Sequence, residues 1–160
     1  MDTRVLATNK RAFFDYEILE TLESGLVLTG QEVKSAKLGH ISLIGAYVIS
    51  RNGEAFLTNC RISPYEYAGL LSSYNPERSR KLLLHKNEIA RLIGMSKQKG
   101  LTFIPIKVYI KHGWIKVEFA IAKGKKKFDK RQSIKKHDDD RNTERELKQS
   151  SNLKFSHGGV

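Results

Sequence analysis

The chain has 160 residues and a formal net charge of +12, from 29 Lys and Arg against 17 Asp and Glu. That length holds one domain with a real core plus a tail, and that charge points to an anionic partner. A single cysteine, Cys60, excludes an internal disulfide framework; with neither a signal peptide nor an apolar run near ~18 residues, a cytoplasmic protein that does not engage membranes is expected.

Residues 1–8 read as a short flexible lead. From Phe14 to Leu28, Tyr16, Ile18, Leu26 and Leu28 suggest two short strands broken at Glu23-Ser24-Gly25. Gly30 to Leu38 is rich in helix formers, and Gly39 is placed to stop a helix there. Ala46 to Ile62 is the clearest hairpin, turning at Asn52-Gly53, the dipeptide preferred for a type I′ turn. Cys60 lies in this apolar run and reads as a buried thiol. Pro64 and Pro76 bracket a loop rich in Tyr, Ser and Gly.

Arg78 to Gly94 has helical character, with Ile89, Leu92 and Ile93 on one face. Leu82-Leu83-Leu84 fits poorly there: three consecutive leucines cannot share one helix side, so one is exposed for a reason or the run is a strand. Thr102 to Ile110 alternates, placing Ile104, Ile106, Val108 and Ile110 on one face. Pro105 then calls for an edge or a bulge. His112-Gly113 turns the chain into a strand over Trp114–Ala122. Short strands outnumber helices, so a small antiparallel β-barrel with two or three helices is expected, followed by a tail. The domain is placed at residues 9–127.

Residues Ala122–Arg131 read AKGKKKFDKR, with six basic groups in ten. A packed strand is thus expected to feed a cationic arm, the kind of segment that displaces counterions from a polyphosphate backbone. Residues 123–160 carry 12 Lys and Arg against 6 Asp and Glu, so the body keeps a net +6 of its own. Residues 128–160 hold too few apolar groups to offset chain entropy and are expected to be disordered when free, with a helix over 134–148 available on a partner.

Reactive constellations are absent from the sequence. His40, His85, His112, His137 and His157 show no metal-ligand spacing, and there is no phosphate loop and no nucleophile elbow. The densest carboxylates, Asp138-Asp139-Asp140, fall in the tail. A binding protein without enzyme activity, cofactor or metal is the economical reading. Phe13, Phe14, Tyr16, Tyr65, Tyr67, Tyr74 and Tyr109 lie near basic residues or in loops and could stack on bases, whereas Phe56, Phe119 and Trp114 read as packing residues.

Five runs carry a resemblance: NKRAFFDYEI (9–18), LESGLVLTGQEVKSAKLG (22–39), NGEAFL (52–57), NPERSRKLLLHKNEI (75–89) and KGLTFIPIKVYIKHGWIKVEFAIAKGKKKFDKR (99–131). Together and in this order they resemble the SsrA-binding family, small protein B. The resemblance implies an OB-type barrel with about three helices and a basic C-terminal tail. It implies binding to the tRNA-like domain of transfer-messenger RNA and delivery of that RNA to stalled bacterial ribosomes for trans-translation, with elongation factor Tu possible in a joint complex and the protein acting as a monomer. It puts Glu23 and Leu83 against the elbow of the tRNA-like domain, with Lys34, Ser35, Arg78, Arg80 and Lys81 as phosphate contacts. His85 joins that surface, at a position where some relatives carry asparagine. Lys123, Gly124, Lys125, Lys126, Lys127, Asp129, Lys130 and Arg131 are implied to meet the ribosomal decoding centre. The alternative reading is a generic OB-type translation factor that holds any single-stranded RNA.

Overall fold

The computed structural model describes residues 3–68, 74–125 and 131. Residues Thr3–Thr8, expected as a lead, form strand β1, because this short run finds a long partner in β8 (Leu101–Lys111) and pairs with it from Thr3–Lys111 to Thr8–Lys107. A single turn of helix, α1 (Ala12–Asp15), leads into β2 (Tyr16–Leu26). β2 runs unbroken through Glu23-Ser24-Gly25, which corrects the expected break: this tripeptide pairs in register with Glu118, Val117 and Lys116 of β9 (Trp114–Gly124). The ladder satisfies the backbone groups that a loop would leave to water.

Helix α2 (Gly30–Lys37) starts where expected. The Thr29 hydroxyl accepts from the Glu32 amide at 3.2 Å and the Glu32 carboxylate accepts from the Thr29 amide at 2.9 Å, a reciprocal cap. Gly39, at φ 83°, ends it. A two-residue strand β3 (Ile41–Ser42) pairs with β6 (Arg61–Ile62). Between them β4 (Tyr47–Arg51) and β5 (Glu54–Thr58) form the predicted hairpin, with Asn52 and Gly53 at φ 53° and 73° as a type I′ turn requires.

The expected helix over 78–94 divides. Arg80–Leu83 is strand β7, and α3 begins only at Lys86 and ends at Ser96. The period-2 burial of Arg80 (in), Lys81 (out), Leu82 (in) and Leu83 (out) is the reason: β7 bridges β5 and β2 and buries alternate side chains. In β8 a bulge at Ile106 switches the face of the strand, so Phe103 and Val108 point into the barrel core, while Ile104, Ile106 and Tyr109 are buried outside that cluster. The single-face assignment of Ile104, Ile106, Val108 and Ile110 is thereby corrected, and Pro105 sits at the bulge its missing amide calls for.

The strands close a ring in the order β8-β4-β5-β7-β2-β9, with β9 returning to β8 and β1 added on the outside of β8. The joins β4–β8 and β2–β7 are short, one and two register pairs, so the barrel is closed but uneven. Leu57, Ile62, Leu82, Val117, Phe119 and Ile121 fill it, with Leu92 from α3 and Ala36 from α2. Each large side chain buried this way stabilises the fold by roughly 1.5–3 kcal/mol. Cys60 is buried as expected, and burial pushes its thiol up to about 11. All these elements lie in one compact unit, Met1–Gly124.

Candidate nucleic-acid interface

Strand pairing assembles the site. Gly25 of β2 lies opposite Leu83 of β7, which brings the Glu23 segment against the leucine run across 58 residues of chain. Leu83 is 56% exposed, the outward member of the leucine run. His85 lies two residues on, exposed at the N-terminus of α3, where its backbone amide donates to Glu88 at 3.1 Å. Glu23, Ser24, Gly25, Leu83, His85, Glu88 and Lys116 line one groove of about 350 Å³. Three of the expected contacts, Glu23, Leu83 and His85, thus converge. Ser24 is buried in this groove's wall, and its hydroxyl finds no hydrogen-bond partner among the described residues.

Glu23 is held rather than free. Tyr109 donates its hydroxyl to Oε2, Lys116 donates to Oε1 at 2.9 Å, and Lys111 lies 3.8 Å from Oε2. The Tyr109 hydrogen bond, followed by that from Lys116, keeps the carboxyl below the usual carboxylate range. Burial, reinforced by the carboxylate, pushes the Tyr109 phenol up. A carboxylate oxygen has two lone pairs, so each oxygen keeps acceptor capacity for a base amino group while its position stays fixed. Tyr109, Lys111 and Lys116 were not singled out in this role from the sequence. Their only signal is register, since Lys116 pairs with both Gly25 and Tyr109.

The expected phosphate contacts divide. Lys34 is exposed on α2, its ammonium 5.5 Å from the centroid of the Tyr65 ring. Lys81 is exposed on β7 and pairs with Glu54 at 3.1 Å. Arg78 is partly exposed and reaches Glu32 at 2.5 Å. Ser35 and Arg80 do not belong to the surface. Ser35 is fully buried and donates to the Ser63 carbonyl at 2.6 Å. Arg80 is fully buried, with Nε 2.5 Å from Glu32 and its other nitrogens on the Cys60 and Pro76 carbonyls. Its inward register on β7 decides this: the Glu32 carboxylate and two carbonyls replace the water its charge would otherwise need.

Among the aromatics, Tyr67 and Phe13 are exposed, whereas Tyr109 is buried and the Tyr74 hydroxyl is tied to the Ile62 carbonyl at 2.6 Å. Trp114, expected in packing, is instead 73% exposed, because the His112-Gly113 turn sets it at the tip of the β8–β9 hairpin. Of the expected decoding-centre residues, Lys123 and Gly124 end β9, paired with Glu17 and Tyr16. In the second unit, Lys125–Val160, Arg131 is exposed, while Lys126, Lys127, Asp129 and Lys130 lie outside the described residues. Among the described residues there is no His/Cys/Asp/Glu group able to hold a metal, and no helix is long and apolar enough to cross a membrane.

Comparison with known proteins converges on one family. The family model described as SmpB protein matches residues 6–149. The SsrA-binding protein of Gloeothece citriformis is 50% identical over 146 residues, covering 91% of this chain and 94% of the relative. That of Caldicellulosiruptor saccharolyticus is 52% identical over 148 residues, covering 92% and 93%. Among solved structures, a chain reported under "tmRNA-SmpB: a journey to the center of the bacterial ribosome" superposes with a TM-score of 0.63 at 44% identity, covering 79% of this chain and 92% of that one.

Proposed function

The chain belongs to the SmpB family, and on that premise we propose that it binds transfer-messenger RNA through the Glu23–Leu83–His85 groove and brings it to stalled ribosomes for trans-translation. The observation that carries the site is the convergence of these three residues, from separate chain segments, around one open groove whose carboxylate is fixed by Tyr109 and Lys116. Leu83 offers an apolar face to an unstacked base, and Glu23 accepts from base edges. Lys34, Arg78 and Lys81 supply exposed cations for the phosphates. The basic run from Lys123 onward is the segment for the decoding centre. The protein makes no bonds itself; it binds and presents an RNA, in the cytoplasm and as a monomer, with elongation factor Tu as a further member of the delivered complex.

Recovery of the full-length protein from its host, followed by sequencing of the RNA that copurifies, tests this. One dominant structured RNA with a tRNA-like end is the expected result. A broad mixture of single strands would replace this reading with a generic RNA binder.

A further inference from the structure

Trp114 is the chain's only tryptophan and is 73% exposed at a hairpin tip. An exposed large apolar residue is unremarkable alone. Trp114, however, walls a groove of about 640 Å³ that it shares with Val27, Leu28, Val33 and Leu83. Among the described residues the one charged side chain lining that groove is Lys116, whose ammonium is paired with Glu23. Gly25, Leu83 and Lys116 line both this groove and the one holding Glu23, so the two form a continuous surface with Leu83 as the ridge between them. Gly25 keeps the ridge in place: a Cβ there would stand 3.2 Å from Leu83 Cβ and 3.3 Å from its Cδ1, so any larger residue would shift Leu83.

We infer that Trp114 is a base-stacking wall: a second unstacked base of the RNA held at Glu23 lies on its indole, in the groove beyond Leu83. This rests on the function proposed above and deepens it. The occupant is a base rather than a peptide for two reasons. The groove runs directly into a surface read as a base contact, and among the described residues its lining carries no carboxylate to repel phosphate. A flat indole accepts any base face, so the contact adds affinity without demanding a sequence, while Glu23 supplies the selectivity next door.

A single tryptophan makes the test direct. The full-length protein is titrated with the isolated tRNA-like domain of transfer-messenger RNA, with emission at Trp114 and filter retention followed in parallel. Emission quenched in step with retention, together with lost access to acrylamide, is the expected result. Trp114→Ala should weaken binding by about 5- to 150-fold, the range for one stacked base, and Trp114→Phe should recover most of that loss. A fully paired RNA duplex should leave the emission unchanged. Full retention with unaltered emission would overturn the stacking wall and leave the proposed function standing. An emission change that follows protein concentration without RNA would also overturn it, by giving the groove to a second copy of the chain. No retention at all would remove the proposed function itself.

Discussion

The Tyr109 hydroxyl donates to Glu23 Oε2, fastening a carboxylate on β2 to a phenol on β8 across the intervening strand β9. The bond explains how an acidic residue persists on a basic surface. Glu23 is pinned as an oriented acceptor and kept ionised, so it presents a fixed group rather than a swinging charge.

Tyr109→Phe removes the largest contribution to that depressed titration while keeping the ring. The Glu23 carboxyl should then titrate at higher pH than in the parent, though still below its ordinary value because Lys116 remains. Carboxyl-carbon NMR shifts followed through acid pH check this, and unchanged titration would show that Lys116 alone holds the group. RNA affinity should fall less than on removal of the Glu23 charge itself.

Glu23→Gln separates selective from generic binding. Removing a negative charge should tighten binding to random RNA by simple electrostatics. If Glu23 accepts from base edges, the same change costs the tRNA-like domain about 1–3 kcal/mol, or about 5- to 150-fold in affinity. Opposite signs on the two RNAs are expected in parallel equilibrium titrations. Tighter binding to both would reduce Glu23 to a strand residue.

Much of the fold was legible because its signals are local. Asn52-Gly53, His112-Gly113 and Gly39 each need a positive φ, and each marks a real boundary. The triple leucine announced its own conflict, and the strand alternative explains it. What was not legible depends on long-range pairing. Glu23-Ser24-Gly25 looks like a turn until β9 supplies a ladder, and Thr3–Thr8 looks like a lead until β8 does. Within the site, composition finds basic residues but cannot tell inward from outward. Arg80 and Lys81 are adjacent and both cationic, yet the strand period buries one and exposes the other. The bulge at Ile106 hides the face of β8 in the same way, and with it the reach of Tyr109 to Glu23.

Arg78, Arg80 and Lys81 should therefore behave differently on substitution. Neutralising Lys81 or Arg78 should leave the chain folded and lower the slope of log affinity against log salt by about 0.7–0.9 if each meets one phosphate. Arg80→Met should instead lower stability, by about 3–5 kcal/mol, because it leaves Glu32 buried and half-paired. Denaturant titration beside salt-dependent binding resolves the two. A stable Arg80→Met with a reduced salt slope would return Arg80 to the RNA surface.

Cutting the chain after Phe128 should separate binding from delivery. The barrel core is complete by Ile121, and the compact unit ends at Gly124, so the shortened protein should melt cooperatively and retain RNA affinity. Peptide tagging on stalled ribosomes should be lost with the rest of the basic run. Tagging at the parental level would place the ribosomal contact in the barrel.

Acid should act on the body through Glu32. Burial raises its carboxyl, but the Thr29 amide, Arg78 and Arg80 outweigh that and hold it below the ordinary value. A depressed folded value means that the unfolded chain binds the proton first as pH falls. The stabilisation is therefore complete above the unfolded value and drains away as pH drops through the folded one. Denaturation midpoints should be level near neutral pH and fall as the pH drops below the ordinary carboxylate range. Glu32→Gln should be less stable at neutral pH, since Arg80 loses its countercharge. It should also lose less on acidification than the parent does, because the titrating group is gone. Parallel pH profiles for parent and variant would assign the acid sensitivity to other carboxylates.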